Sequence, residues 1–144
     1  MFNDDWGTQR GPQFSPDTAR EMLVPYIRRI VDSCHQRGMY FELHCCGKND
    51  ILAPAIAEAS VDICLPQENI NDFDLLYKLI GDKVLLGIYT ETNPEMSDEQ
   101  CLDVARQFME KYGQGGHVFL SGGFNAHPRL NEFAYYLSRE AYAG

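Results

Sequence analysis

An imidazole and a thiol stand two residues apart in the run Leu43-His44-Cys45-Cys46-Gly47. Side chains alternate between the faces of an extended chain, so His44 and Cys46 are expected to point one way and Cys45 the other. A nitrogen and a sulfur donor so placed can share a zinc ion, but a protein zinc site needs a third ligand. Cys64 is the most attractive local choice, because it closes the next apolar run and neighbouring strands lie about 4.8 Å apart. Glu91 and His127, at later strand ends, are runners-up. Each has a plainer reading: free cysteine is usually a small buried residue, and polar loop residues are usually solvated. Glu42 shares a face with His44 and either orients the imidazole from behind or forms an ordinary ion pair. The acidic pair Asp4-Asp5 is the candidate for catalysis, and Arg10, Gln67, Glu91 and Ser121 are candidates for binding substrate.

The elements that would position these groups follow from the spacing of apolar residues. Met39-Tyr40-Phe41 predicts a buried strand running into His44, with a helix start at Asn49 or Asp50. That makes the His-Cys run a strand-to-helix loop, the place where α/β proteins keep their chemistry. Before it, Ser15-Pro16-Asp17 opens a helix carrying Ala19, Met22, Leu23, Tyr26, Ile27, Ile30 and Cys34, kinked at Pro25 and stopped at Gly38. After it come a short helix over Leu52 to Ala59, a strand Val61-Asp62-Ile63-Cys64-Leu65, and a helix capped by Asn71 or Asp72. A strand through Lys83 to Ile88 follows, then a helix whose Ser97 and Gln100 form a capping box. His117-Val118-Phe119-Leu120 is the last strand, and Pro128 opens the last helix. About four parallel strands with five helices, joined by right-handed crossovers, amount to half of a (β/α)8 barrel.

The chain of 144 residues fits one domain, residues 1–144, and 44% apolar content is enough for its core. Its formal charge of −9 is spread along the sequence, which disfavours nucleic acid and anionic membranes as partners. No apolar run approaches a membrane span, the first residues lack the pattern of a signal peptide, and five cysteines without scaffold spacing suit a reducing compartment. The expected location is the cytoplasm. Asp4-Asp5-Trp6-Gly7-Thr8-Gln9-Arg10-Gly11 looks like a loop leaving a strand with almost no body. A half barrel exposes two strand edges, so a second copy or a longer chain is expected to cover them.

Four stretches taken together resemble the uroporphyrinogen decarboxylase superfamily: Asp4-Asp5-Trp6-Gly7-Thr8-Gln9, the segment from Ser15-Pro16 to Pro25, His44-Cys45-Cys46-Gly47, and Val61 to Gln67. The resemblance spans the chain but only the C-terminal half of the family's barrel. It implies either decarboxylation of a tetrapyrrole or transfer of a methyl group between a corrinoid and a thiol such as coenzyme M. The methyltransferase branch is similar in its His-x-Cys, matched by His44 and Cys46, which implies Zn2+ here and a corrinoid carried by a partner protein. That branch has a further zinc-binding cysteine late in the barrel, where this chain has Leu120-Ser121-Gly122-Gly123. Decarboxylation would need cations for the substrate carboxylates, and Arg10 is the arginine near an early strand exit. A third possibility is a remnant or subunit that serves as an assembly or binding module.

Overall fold

A computed structural model describes residues 1–123 and 125–143. Among these residues five strands are hydrogen-bonded in chain order: β1 (Phe2–Asp4), β2 (Glu42–Cys45), β3 (Ile63–Pro66), β4 (Leu85–Tyr89) and β5 (Val118–Ser121). Among the described residues six α-helices connect and follow them: α1 (Pro16–Met22), α2 (Val24–His35), α3 (Ala53–Glu58), α4 (Phe73–Ile80), α5 (Asp98–Tyr112) and α6 (Leu130–Tyr142). This is the α/β alternation of a partial barrel, with one strand and one helix more than expected. Tertiary contacts gather into two compact units, residues 1–87 and 88–144.

The extra strand in the first unit is β1, too short to show a period. It pairs in parallel with β2, Phe2 opposite Leu43 and Asp4 opposite Cys45, so the opening acidic run does leave a strand. The extra helix arises at Leu23. Proline has no N–H and clashes with the turn before it, so Pro25 is tolerated in the first turn of a new helix rather than inside an old one. The chain therefore breaks into α1 and α2 instead of bending one helix. Ser15 caps α1 by accepting from the Thr18 N–H.

The strand before His44 is also displaced from expectation. Met39 and Tyr40 are exposed at 49% and 81%, only Phe41 is buried, and β2 begins at Glu42. Along β2 burial alternates: Leu43 and Cys45 have no exposed surface, whereas Glu42 and His44 are half-buried. Cys64 and Leu86 stand beside that face in register, and they and the helix residues Ala19, Ile27, Val31, Ile56, Leu76 and Ile80 are also buried. Each fully buried Leu or Ile side chain there contributes about 1.5–3 kcal/mol to folding, which fixes that face inward and leaves the other available.

In the second unit α5 starts on the expected capping box, the Ser97 side chain accepting from Gln100 N–H and the Gln100 side chain accepting from Ser97 N–H. Its core is Cys101, Ala105 and Leu130, with Leu120, Phe133 and Leu137 against it. The last helix begins at Leu130, two residues after Pro128. Arg129 donates two hydrogen bonds to Glu132, at 3.0 Å each, and these bonds hold the Glu132 carboxyl below its ordinary value. A carboxyl whose folded value is depressed adds stability above the unfolded value, about 4.3 for glutamate, and loses it as pH falls through the folded one. Urea midpoints of wild type and Glu132→Gln are expected to differ slightly at pH 7 and to merge as the pH falls below about 4. A gap independent of pH would refute this.

Candidate functional site

The His-Cys run leaves β2 with the parity expected from its sequence. His44 Nε2 and Cys46 Sγ lie 3.3 Å apart, on the face that the helices leave half-open. A tetrahedral zinc with Zn–N near 2.0 Å and Zn–S near 2.3 Å separates its ligand atoms by about 3.5 Å, so this spacing fits two corners of such a site. Burial raises the Cys46 thiol above its ordinary value, and the neighbouring Asp5 raises it further through a hydrogen bond and its charge. Cys45 is turned the other way, and burial pushes its thiol up to about 12.

Cys64 is not brought to this pair. Parallel pairing sets Cys64 opposite Leu43 and Leu65 opposite His44. Residues opposite each other in register share a face, so Cys64 belongs to the helix-packed side with Cys45. It is 1% exposed, and burial raises its thiol strongly. The expectation of a third ligand at Cys64 is thereby corrected: the strands are adjacent, but their register turns Cys64 to the other face.

The acidic pair divides. The Asp4 carboxylate accepts from Trp6 Nε1 and from the Asp5 N–H, both at 3.0 Å, so Asp4 holds the turn that buries Trp6. Asp5 is exposed, and its carbonyl accepts from Gln13 Nε2 at 2.6 Å. Arg10 is exposed, and its N–H donates to Thr8 Oγ1. Gln67, expected to bind substrate, uses its side-chain oxygen to accept from the Gly47 N–H at 2.7 Å, so it positions the loop. Glu42 lies on the His44 face, two residues before it along β2.

Several positioning residues escaped the sequence reading. Asn49, read as a helix cap, is 1% exposed and makes no cap; a 3-10 turn, Asp50–Leu52, follows it instead. Its Nδ2 donates to the carbonyls of Cys45, Cys46 and Gly47 at 3.1, 3.2 and 3.1 Å and also meets Cys45 Sγ at 3.0 Å. Asn71 donates to the carbonyls of Gly47 and Gln67, and its oxygen accepts from the Asn49 N–H. The loop after β1 locks on from the other side: Gly7 N–H donates to Cys46 carbonyl at 3.1 Å and Lys48 N–H to Thr8 carbonyl at 2.8 Å. A signal existed in the paired glycines and asparagines, but it named turn formers without saying which loops would meet.

The remaining candidates lie in the second unit. Glu91 is exposed, and the Ser121 carbonyl accepts from the Thr90 N–H. His127 is 6% exposed; its Nδ1 accepts from the Arg129 N–H at 3.3 Å and its Nε2 stands 3.7 Å from Asp98, so both ring nitrogens are engaged inside that unit. Among the described residues no three His, Cys, Asp or Glu side chains are gathered ready to hold a metal ion, and no helix is long and apolar enough to cross a membrane.

Comparison with known proteins adds the following. The model of the uroporphyrinogen decarboxylase (URO-D) family matches residues 2–129. Among solved structures, a methyltransferase from Methanosarcina mazei is similar with a TM-score of 0.63 and 17% sequence identity, over 99% of this chain and 42% of that one. The chain thus spans less than half the length of that relative, and at this identity the likeness is one of fold. No curated protein matches the sequence.

Proposed function

Because this chain belongs to the uroporphyrinogen decarboxylase family, we propose that it supplies the thiol-activating part of a zinc-dependent methyl-transfer site. The observation that carries the reading is the 3.3 Å approach of His44 Nε2 to Cys46 Sγ on the open face of β2. These two side chains would hold Zn2+, whose chemistry when bound is to lower the pKa of an incoming thiol so that a thiolate is available near neutral pH. The rest falls to the chain itself. Gln67, Asn49 and Asn71 hold the loop backbone so that the imidazole and the sulfur converge without reorganising.

The methyl donor in this reading is a methyl-corrinoid presented by a partner protein. In such a transfer the thiol sulfur would take the methyl group, the bond to the donor would break with its electron pair left on the donor, and the thiol proton would leave to water. A second copy or further chain completes the barrel, and the five free cysteines suit the cytoplasm. Tetrapyrrole decarboxylation is less well supported. It needs cations for several carboxylates, yet Arg20 and Arg28 are engaged with Glu58, and Arg10 stands at the exit of β1.

The test is metal analysis of the purified chain and of Cys46→Ala, with transfer from methylcobalamin to coenzyme M as the activity readout. About one zinc per chain, lost in the variant together with methyl transfer, is the expected result for an open three-ligand site. Protein that holds no zinc, and takes up none when zinc is added, would overturn the reading in favour of a metal-free family activity or a binding module.

A further inference from the structure

A helix on the surface of a globular protein normally carries one apolar stripe, turned to the core. Helix α2 carries two. Val24, Ile27 and Val31, spaced three and four apart, form the buried one. Tyr26, Ile30 and Ser33, spaced four and three apart, lie along the other side, where Tyr26 is 60% and Ile30 41% exposed. The Arg28 guanidinium reaches back to the Glu58 carbonyl, so α3 stands beside α2 on the Arg28 flank and the Tyr26–Ile30 line is turned away from it. α2 follows β1, which ends the sheet, so that flank faces outward where the row of helices stops.

The flank is a cleft rather than a smooth side: Tyr26, Arg29, Ile30 and Ser33 line it, and the exposed Arg29 gives it a positive charge. The second unit offers a surface of the opposite kind. Between α5 and α6 runs an open groove of ≈ 550 Å³, with Met109, Leu137 and Tyr142 as its apolar lining. Arg106 in that lining pairs with Asp103 at 3.1 Å, so the charge of the groove is set by Glu110 and Glu140, both exposed. α5 ends at Tyr112 and α6 at Tyr142, so the groove also lies at two helix C-termini, whose free carbonyls favour a cation.

We propose that the α2 flank of one copy of this chain docks into the α5–α6 groove of a second copy. Tyr26 and Ile30 cover the lining of Met109, Leu137 and Tyr142, and Arg29 meets the carboxylates of Glu110 and Glu140, which sets the direction of the contact. A second copy is the occupant because both halves of the fit, apolar against apolar and cation against carboxylates, are present in the one sequence. α2 follows the first strand of the sheet, and α5 and α6 follow the last two, so the contact continues the row of helices from copy to copy. It joins unlike surfaces and is therefore heterologous, each chain bringing one of each. It names the surfaces used by the second copy invoked above and does not rest on zinc or methyl transfer.

Sedimentation velocity of the full chain over a range of concentrations tests this, with circular dichroism as the check on folding. Wild type is expected to associate as concentration rises. Tyr26→Glu with Ile30→Glu spoils the flank, Glu110→Lys with Glu140→Lys spoils the groove, and each pair is expected to weaken association about 10-fold or more, since like charges are brought together. Mixed in equal amounts, the two variants should form a one-to-one complex, because one brings an intact groove and the other an intact flank. Should the Tyr26 and Ile30 changes disturb α2, Arg29→Glu replaces them. A wild type that stays monomeric, association untouched by either pair, or folded variants that remain apart when mixed would each overturn the proposal. None of these outcomes bears on the zinc content that tests the methyl-transfer reading.

Discussion

Gly47→Ala is expected to unfold the first unit under conditions where wild type is native, and to abolish whatever the His-Cys loop does. Gly47 has φ of +81°, and a Cβ built on it would lie 2.0 Å from the Gly7 carbonyl carbon and 2.2 Å from its oxygen. Neither neighbour is a flexible side-chain end. The left-handed conformation alone costs about 1–2 kcal/mol for a residue with a Cβ. Forcing two backbones apart adds about 1–3 kcal/mol of overpacking, and the motion must break the Gly7-to-Cys46 and Lys48-to-Thr8 hydrogen bonds. A total loss of about 3–5 kcal/mol would remove much of the stability of a small domain. The comparison is Gly11→Ala, where a Cβ meets nothing within 4 Å and the change should stay within about 0.5 kcal/mol. Urea unfolding of the two variants side by side checks this; equal midpoints would show that the loops are not locked as described.

Asn49→Asp should have an effect of similar size, with a pH dependence that identifies its cause. The Asn49 amide nitrogen faces three backbone carbonyl oxygens, and its own Oδ1 has no hydrogen-bond partner among the described residues. An ionised aspartate would replace the donor by a negative oxygen facing those carbonyls. An uncompensated buried charge of this kind costs about 3–5 kcal/mol. The group escapes by staying protonated, so its folded pKa rises above the unfolded value of about 3.9. With the folded value raised, the folded state binds more protons than the unfolded one over the interval between them, and stability falls as pH rises through it. Near pH 4 the variant keeps one O–H donor where wild type has two N–H donors, so it recovers only in part. Urea midpoints at pH 4.5 and 7.5 should therefore separate far more for the variant than for wild type. Matching pH profiles would mean that residue 49 is not sealed from water.

Local features of this chain were legible wherever one segment sets them by itself. The capping box at Ser97 and Gln100, the alternation of strands and helices, and the shared face of His44 and Cys46 each depend on backbone geometry over a few consecutive residues. The family likewise followed from motif order, and the match over residues 2–129 establishes it. Errors arose where a local signal had two outcomes. Pro25 could bend one helix or start another, and Met39-Tyr40 is apolar enough for a strand yet lies exposed before β2. β1 offers three residues, fewer than any periodicity needs.

What the sequence determined by itself, then, is which way the imidazole and the thiol point relative to each other and which fold carries them. Tertiary structure alone decided what stands beside them. Register is a property of two strands, and a shift of one residue moves a whole set of side chains to the other face. That is why Cys64 went to the buried face with Leu43 and Asp4 came level with Cys45. The same holds for Gly7 against Gly47 and for Asn49 beneath its three carbonyls: each contact joins backbone stretches whose meeting point depends on the packing of the whole unit.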